Sequence, residues 1–344
     1  MIRFECDYAE GAHPKILKKL FDTNFEQTPG YGVDEYCERA KNKIKKLCGN
    51  ENIDVHFLVG GTQANLTVIS SILKPYQGVV SAETGHINVH ETGAIEQTGH
   101  KVITLPSGDG KVTAEQVLDI YNSHFEDSLR EHTVQPGMVY ISHPTENGTT
   151  YTKSELKNLS KACKKCNLPL FLDGARLGYG LMAENNDLSL EDITNLCDIF
   201  YIGGTKIGAL FGEAVVICNE KFKKDFRYNI KQRGAMLAKG RILGIQFDVL
   251  FENDLYFEIS KHAVDMAMLI KNAFSQKGFK FLYESSTNQQ FPILPNDKLE
   301  KLSEKYSFCC WNKIDENHSA ARFCTSWATK KEDVLNLIED IKKL

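Results

Sequence analysis

Asp198-Ile199-Phe200-Tyr201-Ile202-Gly203-Gly204-Thr205-Lys206 decides how the rest of the chain is read. Its short apolar run, rich in β-branched and aromatic residues, reads as a buried strand. The run ends in a Gly-Gly-Thr-Lys turn, whose glycines allow backbone shapes closed to other residues. Such a turn leaves Lys206 at the mouth of a sheet, its stem against an apolar wall. A desolvated amine has a lowered pKa and is a nucleophile towards an aldehyde. The structural alternative is a surface lysine that happens to follow a strand.

Leu168-Pro169-Leu170-Phe171-Leu172-Asp173-Gly174-Ala175-Arg176 is a second strand of the same kind, ending in an aspartate, a glycine and an arginine. A carboxylate at a strand end can hold a protonated ring nitrogen. Pyridoxal phosphate needs such a partner to keep its pyridinium charged as an electron sink. The structural reading of Asp173 is a cap for the next element. One strand ending in Asp and another ending in Lys support each other.

Those two runs, the second continued as Ile207-Gly208-Ala209-Leu210-Phe211-Gly212-Glu213-Ala214, resemble the low-specificity L-threonine aldolases. That family consists of pyridoxal-phosphate enzymes of the aspartate-aminotransferase fold, fold type I. The resemblance extends from Asp7 to Thr325. It implies an α/β large domain with a mostly parallel sheet and a small α+β domain at the C-terminal side, here residues 1–255 and 256–344. It implies that Lys206 carries the cofactor as a Schiff base, with Thr205 beside it, and that Asp173 holds the pyridine nitrogen. The implied reaction is cleavage of L-threonine or L-allo-threonine to glycine and acetaldehyde, a step in threonine breakdown and glycine supply.

Further segments carry family positions. Val55–Val59 reads as a strand, and Gly60-Gly61-Thr62 feeds a helix over residues 63–73. Free backbone N–H groups, a hydroxyl and a helix N-terminus make a phosphate site. The resemblance puts the cofactor phosphate there, with Gly60 standing where relatives often have serine. His86 and His90 lie four apart, a spacing also used for zinc, but the sequence between them is not His-Glu-x-x-His. The resemblance implies that His86 stacks on the pyridine ring, and His90 reads as a packing residue. Cys6 stands where the family often has serine near the substrate carboxylate. Tyr31, in a loop rich in turn residues, lines a site by resemblance, that of a neighbouring subunit. Lys231 and Lys239, in a basic run over residues 223–239, are the candidates for the phosphate of an adjacent subunit. Thr145 aligns with a family histidine thought to touch the substrate hydroxyl; His143, Glu146 or a water are the alternatives for that role. Arg322 is one charge in an apolar strand, which requires a partner, and its planar guanidinium suits a carboxylate. The family uses its matching arginine for the α-carboxylate, and Arg176 borders cofactor and carboxylate alike.

Composition narrows the partners. The chain has 344 residues, 42% hydrophobic and 25% charged, with a net charge of −4, so nucleic acid is not expected. No run is long enough to span a membrane, and the N-terminus lacks a signal peptide's apolar core. Ten scattered cysteines then read as reduced thiols in the cytoplasm. Cys163-Lys164-Lys165-Cys166 is a lone pair without a second, so no metal site is expected. A homotetramer is the family's assembly. Three rivals remain: another pyridoxal-phosphate reaction such as β-elimination, an NAD-dependent oxidoreductase, and a non-catalytic regulator. The second requires a Gly-x-Gly-x-x-Gly turn, which Gly60-Gly61-Thr62-Gln63-Ala64-Asn65 does not supply.

Overall fold

The computed structural model describes residues 1–344. Seven strands form the central sheet, in the order Asp54–Leu58, Glu213–Ile217, Ile199–Gly203, Leu170–Asp173, Gln135–Ser142, Gln77–Ala82 and Val102–Leu105. Neighbours are parallel except at Glu213–Ile217, which runs antiparallel to both strands beside it.

The strands Leu170–Asp173, Ile199–Gly203 and Glu213–Ile217 are buried at every position. Parallel sheets covered on both faces read as continuous apolar runs for this reason. Side chains alternate between two cores. Leu170, Leu172, Phe200, Ile202 and Val216 join one cluster. Phe171, Tyr201, Ile199 and Val215 join the other. Covering helices begin at capping boxes: Thr113 with Gln116, Thr152 with Glu155, and Ser189 with Asp192.

This topology brings the site to one edge. The carboxyl ends of five parallel strands lead into Gly60, His86, Glu146, Arg176 and Lys206. The antiparallel strand starts where its neighbours end, so Glu213 pairs in register with Gly203 on one side and Leu58 on the other.

After the long helix Leu255–Gln276 comes a small antiparallel sheet in which His318–Cys324 pairs with Ile293–Pro295, Cys309–Lys313 and Gln289–Gln290. Its core gathers Ile270, Phe274, Leu294, Phe323 and Leu337, together with Phe4. The N-terminus is tied in by Ile2–Arg3, which pairs in parallel with Tyr306–Ser307, and by the Cys324 N–H, which donates to the Phe4 carbonyl at 2.8 Å. The stretch at 279–283 contributes one isolated bridge, Phe281 to Pro292.

Gly203 and Gly204 serve a purpose other than the unusual backbone shape expected of them. Neither has a left-handed φ. They allow close approach: a Cβ on Gly203 would lie 2.3 Å from the Ala175 carbonyl oxygen, and one on Gly204 would lie 2.9 Å from that of Gly212. The left-handed positions of this turn are Gly208 and Gly212.

Gly174 is the most crowded of these contacts, its Cβ position 2.0 Å from the Tyr201 carbonyl oxygen. Backbone cannot swing aside as a side chain can. Gly174→Ala is therefore expected to destabilise the protein by about 1–3 kcal/mol or more. Gly108→Ala, with nothing within 4 Å, is expected to be near neutral. Urea unfolding of the two variants measures the difference.

Candidate active site

Two adjoining cavities open at the carboxyl edge of the sheet. The larger, about 810 Å3, is a cleft bounded by His86, Glu146, Arg176, Lys206, Trp311 and Arg322. The smaller, about 310 Å3, is bounded by Gly60, Gly61, Thr62, Asp173, Thr205 and Glu213. Lys206, His86, Glu146 and Arg176 border both.

Asp173 is buried at the end of its strand, with several donors directed at it. The Tyr140 hydroxyl donates to Oδ2 at 2.5 Å, and Asn65 Nδ2 does so at 3.1 Å. The Ala175 N–H donates to Oδ1 at 3.0 Å. Burial alone would raise its pKa. The charge of His86, the hydroxyls of Tyr140 and Tyr201 and the Ala175 N–H outweigh burial and hold it low. Gly61 belongs to the same arrangement, because a Cβ there would crowd the Tyr201 hydroxyl at 3.1 Å.

His86 Nδ1 lies 2.8 Å from Glu91 Oε1, and Asn65 Nδ2 donates to that same oxygen at 2.7 Å. Burial disfavours the imidazolium, but Glu91 and Asp173 favour it more, and the His86 pKa is raised. Asn65 thus links the carboxylate under His86 to Asp173. His90 is exposed rather than packed: it follows the single turn His86–Val89, and its ring lies 6.5 Å from that of Trp311.

Lys206 follows the strand as read from sequence. Burial and the nearby Arg176 charge lower its amine pKa. Below it, the Thr205 hydroxyl donates to Glu213 Oε1 at 2.9 Å and accepts from the Gly212 N–H at 3.0 Å. Burial pushes the Glu213 carboxyl up to about 8.

The two arginines differ. Arg176 is paired with the fully buried Asp7, Nε to Oδ2 at 2.7 Å and Nη2 to Oδ1 at 3.0 Å, and Asn288 steadies Asp7 at 2.9 Å. Arg322 has no carboxylate partner. Its Nη2 donates to the Glu5 carbonyl at 2.9 Å and its Nη1 to Gln289 at 3.4 Å, while its buried Nε has no partner. The guanidinium lies 4.8 Å over the Trp311 ring.

Other candidate residues lie apart from Lys206. Thr145 is fully buried within its own loop, bonded to the Thr149 hydroxyl at 2.6 Å and to the Asp109 carbonyl, and borders neither cavity. His143 is also fully buried, accepting the Tyr151 N–H at Nδ1. Cys6 is half-buried beside Asp7 and borders neither cavity. Tyr31 borders a separate depression with Arg227, and Lys239 borders another with Pro29 and Arg241. Lys231 Nζ sits 5.0 Å over the Tyr31 ring. Within one chain these three do not meet the cleft. Sequence reasoning missed Asp7, Asn65, Glu91, Tyr140, Tyr201, Glu213 and Asn288. Glu213 had a signal, a lone charge opening an otherwise apolar strand. Tyr140 and Tyr201 had none, since an aromatic in a buried strand reads as core.

Pyridoxal phosphate fits this arrangement. The helix Gly61–Ile72 has no side-chain cap and presents its N-terminus to the smaller cavity. Asp173, which keeps its charge, and Lys206 border the same cavity. A mostly parallel sheet with these residues along its carboxyl edge defines a pyridoxal-phosphate enzyme of fold type I. The profile of the beta-eliminating lyase family matches residues 11–296, and the chain belongs to that family. The chain is 29% identical to the low specificity L-threonine aldolase of Pseudomonas sp. (strain NCIMB 10558), over 99% of this chain and 97% of that protein. It is 44% identical to the solved Leishmania major threonine aldolase, with a TM-score of 0.96, covering 100% of this chain and 99% of that one. Cystalysin from Treponema denticola, solved with pyridoxal 5'-phosphate, shares the fold at a TM-score of 0.73 and 15% identity, covering 100% of this chain and 90% of that one.

Glu213 supplies a pH test. An acid whose folded pKa is raised gives its full stability when protonated, below the unfolded value near 4.5. That stability is lost as pH rises towards about 8, and the loss is complete above it. Glu213→Gln escapes the loss. The Tm difference between Glu213→Gln and the natural protein should therefore grow across this window and level off above it, as read by thermal unfolding at a series of pH values.

Proposed function

We propose that the chain cleaves L-threonine and L-allo-threonine to glycine and acetaldehyde, with pyridoxal phosphate held on Lys206. The observation that carries this reading is the shared cleft. A lysine amine without a partner and a guanidinium without a carboxylate face the same space, next to a buried, ionised aspartate. The threonine aldolase relatives support the substrate class.

In this reading Asp173 keeps the ring nitrogen protonated, and the bound cofactor then supplies an electron sink at the substrate's Cα. Gly60, Gly61 and Thr62 hold the phosphate, and Thr205, bonded to Glu213, lines the cofactor cavity. His86, charged through Glu91, covers the ring face. Arg322 takes the α-carboxylate, with the remaining Nη1 of Arg176 beside it. Fixing that carboxylate orients Cα so that the bond to Cβ is the one aligned for cleavage.

We also propose a homotetramer in the cytoplasm. Phe21 and Phe25 are 82% and 95% exposed, and Tyr31, Val33 and Tyr228 are exposed as well. Large apolar side chains left exposed in this number fit burial against a second copy of the chain. Tyr31, Lys231 and Lys239 would then serve the neighbouring site. Ten cysteines, none in a disulfide, support a reducing compartment.

Lys206→Ala is expected to lose both the borohydride-reducible cofactor adduct, read by mass spectrometry, and acetaldehyde release. Asp173→Asn should bind cofactor yet turn over orders of magnitude more slowly. Arg322→Ala should keep the cofactor absorbance and lose substrate affinity by about 2–5 kcal/mol, with Arg322→Lys restoring part of it. The family's other chemistry, β-elimination, would give 2-oxobutanoate and ammonia from threonine instead of glycine and acetaldehyde; product analysis decides between them. Phe25→Asp should shift the protein to smaller species in light scattering after size-exclusion chromatography; an unchanged mass would remove this face from the assembly.

A further inference from the structure

Retro-aldol cleavage needs a group that accepts the proton of the substrate's β-hydroxyl. We propose that Glu146 is that general base, acting through its Oε2. This role rests on the aldol-cleavage reading above.

Glu146 is 8% exposed and borders the cleft together with Lys206, Arg176 and Arg322. Its two oxygens differ. Oε1 accepts from the Ser142 hydroxyl at 2.6 Å and from the His86 backbone N–H at 3.0 Å. Oε2 is buried and has no partner. Two donors on one oxygen fix the carboxylate's orientation and favour its ionised form. A buried acceptor left open is costly, and a hydroxyl brought by the substrate removes that cost. The residue whose imidazole borders the cofactor cavity thus also positions Glu146 through its backbone.

Burial pushes the Glu146 carboxyl up, the Ser142 hydroxyl holds it down, and the Asp173 charge adds to the rise. A carboxylate raised in this way is a stronger base near neutral pH. The other groups fit less well. His86 has its Nδ1 engaged by Glu91, which favours the imidazolium form and makes the ring a poorer proton acceptor. Thr145 and His143 do not border the cleft. His90 does, at its exposed rim, as do the exposed Tyr8 and Glu83, and His90 is the rival tested below.

In the step, the hydroxyl proton passes to Glu146 Oε2, and the O–H electron pair becomes the second bond of the aldehyde carbonyl. The Cα–Cβ bond breaks with its pair on the Cα side, where the resident cofactor is the sink. Cα then takes one proton, glycine leaves, and Glu146 releases its proton to water. No oxidant or second substrate is consumed.

The test uses the holoenzyme and three variants. Glu146→Gln keeps the shape and an oxygen for Ser142 and His86, and removes the base. Its kcat for threonine cleavage should fall by roughly 10²–10⁴-fold. Exchange of the glycine α-proton with deuterated water, which involves no hydroxyl, should stay within a few-fold by NMR. Glu146→Ala should regain cleavage in added formate, while His90→Gln should cleave within a few-fold of the natural protein. Cleavage by Glu146→Gln within fivefold of the natural rate overturns the proposal. Loss of glycine exchange equal to loss of cleavage, without formate rescue, also overturns it, since Glu146 would then only hold the site in shape. A large loss in His90→Gln alone moves the base to His90. If the natural protein exchanges glycine but releases no acetaldehyde, the aldol-cleavage reading itself fails.

Discussion

A negative charge kept ionised in a dry place is the constraint on which the site depends. Asp173 has no lysine or arginine as a direct partner. Its charge is held by a phenol, an amide and a backbone N–H, with a charged imidazole nearby. Dipoles of this kind stabilise a carboxylate without neutralising it, leaving it able to hold a cation that arrives with a ligand. A salt bridge in the same position would consume that capacity. The sheet makes this possible, because Tyr140 and Tyr201 come from strands on either side of Asp173 and point to the same face.

His86 extends the arrangement. Glu91 favours its charged form, Asn65 ties Glu91 to Asp173, and the His86 backbone holds Glu146. Three carboxylates, Asp173, Glu91 and Glu146, are thus tied to one imidazole and one amide along the wall, and the Asp173 charge disfavours ionisation of Glu146. In a low-dielectric setting such a chain is favourable only when every member has its partner. Four buried oxygens here are left open: Oε2 of Glu146 and Oε2 of Glu213, on residues that border the cavities, and Oε2 of Glu91 and Oδ1 of Asn65, on residues that do not.

Much of this was legible in the sequence, and for stated reasons. The strands leading to Asp173 and Lys206 are short, continuous apolar runs, rich in aromatic and branched residues and closed by polar residues, a pattern that a sheet covered on both faces produces. The Gly-Gly-Thr turn before a helix had a similarly local signal. Relations across the fold were not legible. Asn65 reads as one polar residue on a helix, and only the neighbouring strands show that it bridges two carboxylates. Thr145 aligned with a family position, yet its hydroxyl is committed to Thr149 and Asp109, which no spacing could reveal. Gly203 and Gly204 were legible as glycines in a turn, but the close backbone approaches that require them, to Ala175 from a neighbouring strand's end and to Gly212 across the turn, were not.

The two arginines differ most from the reading by resemblance, and their difference bears on how the site is assembled. Arg176 has two of its three nitrogens engaged by Asp7, so it can offer an incoming carboxylate only what remains. Asp7 comes from the N-terminal segment, which Phe4 anchors in the C-terminal core, and Asn288, itself bonded to the Thr325 carbonyl, holds Asp7 from that side. One buried ion pair thus joins the strand that carries Asp173 to the unit that carries Arg322. Separating such a pair leaves an uncompensated charge on each side, which is strongly unfavourable. A motion that carried Arg322 away from Lys206 by pulling the two units apart would have to break it. The distance between Arg322 and Lys206 is therefore set by Asp7 and Arg176, and the guanidinium of Arg322 is left without a carboxylate partner.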